Sequence, residues 1–162
     1  QDLQRHSTAT AHVSRLICRQ TSFSDDYAFL CGLLHDMGAA ASLLVLGDMK
    51  KGRKPPPFDR AWPAVVALHE KVAGWLCTMW RLPPDVEMVV TNHHDFMIGG
   101  RAHPLAACVA LADCIATELG YGAPNELQKS QDRKAAEALG LDESSVRRIR
   151  LQAEEALAVV PT

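Results

Sequence analysis

"GLLHDMGAAASLLVLG", residues 32–47, decides the fold. It sets His35 and Asp36 side by side in a run that is otherwise almost wholly apolar, as in a helix buried on most of its faces. An ionised carboxylate there costs roughly several kcal/mol unless it is paired, hydrogen-bonded or bound to a cation. Asp36 therefore requires a partner. So does Asp113 in "VALADCIA", residues 109–116, and neither segment carries a Lys or Arg nearby.

Outward from that stretch, nearly every periodic segment has helical spacing and no run shows β-branched alternation, which predicts an all-α protein. A first helix is expected from about Leu3 to Arg19, with His6, Thr10 and Val13 on one face. Ser22, Ser24, Asp25 and Asp26 read as the cap and acidic first turn of a second helix, which breaks at Gly38 and resumes. "GDMKKGRKPPPFDRAWP", residues 47–63, is expected to be an exposed loop, with Lys50, Lys51, Arg53 and Lys54 solvated. Further helices are expected in "AVVALHEKVAGWLCTMW", in "PDVEMVVTNHHD" and in the nearly all-apolar "PLAACVALADCIATELG". In "LGLDESSVRRIRLQAEEAL", Gly140 ends one helix and Asp142 caps the next. Trp62, Trp75 and Trp80 read as core anchors.

A chain of 162 residues with 48 % hydrophobic residues is expected to form one domain spanning 1–162. The first helix begins at residue 1 without a leader or cap, so the chain reads as a fragment of a longer protein that lacks its N-terminal helices. The formal charge of −2 gives no basic footprint for nucleic acid or an anionic membrane. No apolar stretch is read as approaching the eighteen or so residues of a span, and the first twenty residues are too polar for a signal peptide. The expected location is cytoplasmic. Cys18, Cys31, Cys77, Cys108 and Cys114 are odd in number and lack CxxC spacing, so they read as small buried hydrophobes in a reducing compartment.

Histidines answer the question of the carboxylates' partners. His6, His35, His69, His93 and His94 are all expected in apolar helical segments; with Asp36 and Asp113 they make a nitrogen and oxygen ligand set. Such a set suits one or two divalent ions such as iron, manganese, zinc or nickel, and suits calcium poorly. A metal-free alternative has the same groups hydrogen-bonded to one another, with His6 and His35 orienting the two aspartates. His12 and His103 fall outside the pattern, and His103 before Pro104 reads as a helix-start residue. Asp95 is placed to orient His94, and Lys71 and Arg101 are the cations nearest the motifs. The "DESSVRRIR" segment lacks the net positive charge of a DNA-binding helix.

The order of these residues, "RHSTATA", then "AFLCGLLHDMG", then "HEKVAGWLCTMWRLPPDVEMVVTNHH", then "PLAACVALADCIA", resembles the HD superfamily of metal-dependent phosphohydrolases from about residue 3 to residue 118. The phrasing from "GWL" through "W-x-L-P" to "HH" is most similar to the HDOD domain, the HD-related output domain of bacterial signalling proteins. The resemblance implies a helical bundle of about six to seven helices. It implies one ion held by His6, His35, Asp36 and Asp113, and a second held by His69, His93 and His94, with Asp36 bridging. It implies a regulatory module acting through a protein partner. The alternative is an active phosphohydrolase on a nucleotide or cyclic-nucleotide phosphoester, with Asp36 as its catalytic, metal-bridging group. Two departures weigh against cyclic-dinucleotide hydrolysis: Ala39 stands where those phosphodiesterases carry a lysine after the HD pair, and "HHDFMIGGRAHP" lacks their Gly-Tyr-Pro motif.

Overall fold

A computed structural model describes residues 2–21, 27–48, 56–122 and 128–158. The helices are α1 (Asp2–Cys18), α2 (Ala28–Leu34), α3 (Met37–Gly47), α4 (Phe58–Trp80), α5 (Pro84–Val90), α6 (Pro104–Ala116), α7 (Gln128–Ala138) and α8 (Glu143–Leu157). With α2 and α3 taken as one broken helix, the described residues hold seven helices, as expected for an HD-type bundle. The expected caps at Ser22, Ser24, Asp25 and Asp26, and the basic cluster Lys50 to Lys54, lie outside the described residues.

The bundle is organised around α6, in which every residue from Ala106 to Ala116 is buried. A helix apolar on all sides must be surrounded, and α6 packs against α1, α2, α5, α7 and α8. Its alanines and cysteines keep it thin enough for neighbours to close in. On α1, His6, Thr10 and Val13 are all buried on the inward face, as expected. Gly140 takes a left-handed φ of 67° after α7, and the Asp142 carboxylate accepts a hydrogen bond from the Ser145 N–H at 2.7 Å, capping α8.

Some local expectations need correction. The break in the second helix falls at His35–Asp36 instead of Gly38. Gly38 serves a different need: a Cβ there would collide with the His69 carbonyl and the Ala73 nitrogen, so its bare backbone lets α3 lie against α4. The proline-rich loop ends earlier than expected, because extended Pro57 starts α4 at Phe58. Pro63 is tolerated within α4 although it donates no hydrogen bond to the previous turn. The all-α reading holds, with one small addition, a hairpin of two residues per strand, β1 (Met97–Ile98) with β2 (Arg101–Ala102), turned by Gly99 and Gly100 at φ 59° and 78°. Finally, Trp75 and Trp80 are 61 % and 54 % exposed and anchor no core. The buried stripe of α4 steps every fourth residue through Ala61, Val65, His69, Ala73 and Cys77, and both tryptophans lie off it. Trp62 is half-buried beneath Phe58, their rings stacked with centroids 5.2 Å apart.

Two segments, Ala28–Gly47 and Pro104–Tyr121, are long and apolar enough by length and composition to cross a membrane, against expectation. The apolar residues on either side of His35–Asp36 join into one stretch, and α6 runs on into a π-helical turn, Thr117–Tyr121. Core helices meet the same criterion, and α6 is buried inside the bundle. All five cysteines are buried free thiols. Burial pushes the Cys31 thiol up to about 12, and Cys18 and Cys108 sit sulfur to sulfur at 3.7 Å.

Candidate metal centre

The seven candidate ligands come from six local settings. His6 lies in α1, His35 ends α2, Asp36 precedes α3, His69 is central in α4 and Asp113 is central in α6. His93 and His94 lie on the turn after α5, not in a helix as expected, because α5 stops at Val90. The bundle nevertheless brings all seven together.

The first half of the cluster gathers His6, His35, Asp36 and Asp113. His6 Nε2 lies 3.2 Å from His35 Nε2, 3.0 Å from Asp113 Oδ1 and 3.7 Å from Asp36 Oδ2, while His35 Nε2 is 3.4 Å from that same Asp36 oxygen. In the second half, His69 Nε2 lies 3.3 Å from His93 Nε2, and the His94 ring packs 4.1 Å from His93 and 5.0 Å from His69 by ring centroid. Asp36 reaches both halves, with Oδ1 3.7 Å from His69 Nε2. The rings of His35 and His93 meet edge to face at 5.1 Å where the halves join. Ligand atoms of His6, His35 and Asp113 lie within 4.8 Å of one another, as do those of His69, His93 and His94, and those of His35, Asp36 and His93. Such groups could hold a metal ion.

Three histidines are fixed in the same way. His35 Nδ1 is bonded to the Gly32 carbonyl at 2.7 Å, His69 Nδ1 to the Val66 carbonyl at 2.6 Å, and His93 Nδ1 to the Val90 carbonyl at 3.0 Å. A carbonyl only accepts, so each Nδ1 carries a proton, and a ring in its neutral form then turns a bare lone pair at Nε2 towards the centre. Two lone pairs cannot bond each other. The facing Nε2 atoms of His69 and His93 therefore need a cation or a shared proton between them.

The surroundings disfavour the proton at His93. Its pKa is pushed well below the ordinary histidine value, first by complete burial and then by His94, His35 and His69 beside it. Burial lowers His94 as well, against the opposing pull of Asp113. His6 behaves differently: burial works to lower it, but the hydrogen bond and charge of Asp113, with Asp36, raise it overall. Its Nδ1 is buried against the main chain of Tyr121 and Gly122, where a Cβ on Gly122 would come within 2.9 Å.

One participant was missed by sequence reasoning. The carboxylate bonded at the histidine pair is Glu70, not Asp95: Glu70 Oε1 accepts from the His94 N–H at 3.2 Å and lies 3.6 Å from His93 Nδ1. Its place directly after His69 on α4 did not mark it, because the contact is made only when the turn after α5 lies against α4. On the other side, Gln131 Nε2 of α7 donates to the His94 carbonyl at 2.7 Å, and nothing in the polar text around it announced that contact. The expected outsiders stay outside. His12 packs edge-on against Phe29, and His103 caps α6 by accepting from the Ala106 N–H at 3.2 Å. Lys71 is held over Trp75 at 5.6 Å, and Arg101 is exposed on β2.

The sequence profile of the HDOD domain matches residues 1–96. No curated protein sequence matches the chain. The fold is similar to that of the HD domain of the L. monocytogenes phosphodiesterase PgpH, with a TM-score of 0.64 at 14 % identity, covering 97 % of this chain and 92 % of that one. The same HD domain in complex with cyclic-di-AMP aligns with a TM-score of 0.64 at 12 % identity, covering 97 % of this chain and 91 % of the other.

Proposed function

Because this chain belongs to the HDOD domain family, we propose that it is a regulatory output domain of bacterial signal transduction, built around an HD-type metal centre and acting through a protein partner. The observation that carries the metal centre is the facing Nε2 pair of His69 and His93 at 3.3 Å, each ring tied by Nδ1 to a main-chain carbonyl, with complete burial holding His93 well below the ordinary histidine pKa. One or two divalent ions of iron, manganese, zinc or nickel fit this donor set of imidazoles and carboxylates. His6, His35, Asp36 and Asp113 would hold one ion, and His69, His93 and His94 the other, with Asp36 shared.

Regulation in place of turnover is supported by how few cations stand at the site among the described residues. A phosphohydrolase needs positive groups to receive phosphate, and Lys71 is turned onto Trp75 on the outer face of α4. That same face offers Leu68, Trp75 and Met79, all more than half exposed, and tryptophan and methionine are side-chain types that protein interfaces favour. Five buried thiols fit a reducing, cytoplasmic setting.

A second reading, metal-dependent phosphoester hydrolysis, is favoured by one observation: Asp36 presents one oxygen to each half of the cluster. Ions held there would supply charge for phosphate oxygens and a more acidic bound water. The deciding measurement is elemental analysis of protein purified without chelator, beside His35→Ala and Asp36→Ala. The expected result is about one or two equivalents of transition metal, lost in both variants. Less than about a tenth of an equivalent after reconstitution overturns the metal centre and leaves a hydrogen-bonded core. Loaded protein that hydrolyses a cyclic dinucleotide, with the rate abolished by Asp36→Ala, establishes the second reading.

A further inference from the structure

His94 is the candidate ligand with the least local support. It lies beyond the end of α5, and its backbone conformation is not set by a helix. Yet its peptide groups are held from both sides. Glu70 of α4 accepts its N–H at 3.2 Å, and Gln131 of α7 donates to its carbonyl at 2.7 Å. The two residues stand 61 positions apart in the chain, on different helices, and converge on one residue. Gln131 is itself anchored through its neighbour: Asp132 bonds Arg150 of α8 at 3.3 Å, and Arg150 also grips Glu118 at 2.9 and 3.3 Å.

We propose that Glu70 and Gln131 form a clamp that positions His94 for the second ion of the metal centre. The proposal rests on the metal-centre reading above and extends it past the HDOD-matched segment, because α7 lies beyond residue 96. Neither residue is a ligand. A loop histidine left to rotate with its turn must be ordered when the ion binds, and that cost is subtracted from affinity. Two hydrogen bonds to the His94 main chain meet that ordering before the ion arrives. Glu70 also lies 3.6 Å from His93 Nδ1, so the same carboxylate faces both histidines of the pair. Both clamp bonds go to His94, in the second half of the cluster, so the clamp acts on that half's ion.

The test is a Mn(II) titration of the full chain, following free Mn(II) by electron paramagnetic resonance, for wild type, Glu70→Ala, Glu70→Gln and Gln131→Ala. Wild type is expected to take two ions. In Glu70→Ala and Gln131→Ala the first ion binds as before and the second binds ~10–100-fold more weakly, whereas Glu70→Gln, which keeps an acceptor oxygen, stays within about threefold of wild type. Amide exchange at His94 in metal-free protein is expected to quicken in both alanine variants and not in Glu70→Gln. Should Glu70→Ala not fold, Gln131→Ala, on a half-buried helix surface, carries both readouts. Alanine variants that bind both ions like wild type overturn the clamp alone. A wild type that takes fewer than two ions overturns the two-ion centre and the clamp with it.

Discussion

Gly38 shows how closely the site is tied to packing. Any side chain there meets main-chain atoms of His69 and Ala73, which belong to a helix and cannot swing aside. Gly38→Ala is expected to push α3 off α4, costing about 1–3 kcal/mol in urea unfolding. The same shift moves Asp36 away from His69, so bound metal is expected to fall in parallel; a variant as stable as wild type overturns the packing argument. At this scale the sequence was informative about chemistry and poor on position. All seven candidate ligands were legible, because a histidine or aspartate among apolar residues demands a partner wherever the chain runs. Glu70 was not legible. Its role depends on the turn after α5 folding back over α4, and no spacing within α4 encodes that.

The outer face of α4 shows where pattern reading fails at the scale of an element. Tryptophan in a helix is usually read as buried, but the stripe that α4 buries is set by which neighbours it meets, α3 and α5. Trp75 and Met79 lie off that stripe and are largely exposed. Trp75→Ala and Met79→Ala are therefore expected to change unfolding free energy by less than about 0.5 kcal/mol, whereas Leu111→Ala, fully buried in α6, is expected to lose roughly 2–5 kcal/mol. Denaturant curves on the three variants check this, and a Trp75→Ala loss matching that of Leu111→Ala would sink it. Helix ends followed the same division. The Gly140 stop and Asp142 cap were readable from local chemistry, as was the central place of α6 from its unbroken apolarity. The break at His35–Asp36 was not, since Asp36 precedes α3 with its side chain turned to histidines from other helices instead of capping its own.

For the molecule as a whole, the cluster joins α1, α2, α3, α4, α6 and the turn after α5, so an ion held there cross-links most of the bundle. Such an ion binds the folded state and not the unfolded chain, so saturation at about a hundred times its dissociation constant is expected to add ~2.7 kcal/mol. Thermal melts with Mn(II) or Zn(II), reversed by chelator and insensitive to metal in His35→Ala, check this. A melting temperature indifferent to every divalent ion tried would contradict it. The sequence by itself determined that the protein is helical, that α6 is central, and which seven side chains could not be buried alone, because apolar periodicity and the desolvation of charge act locally along the chain. Only the tertiary structure decided that those seven converge in two halves joined by Asp36, that Glu70 and Gln131 hold the last histidine, and that two tryptophans face outward. Those outcomes depend on which helices touch and at what crossing, and contacts between residues tens of positions apart leave no mark on the spacing of either partner.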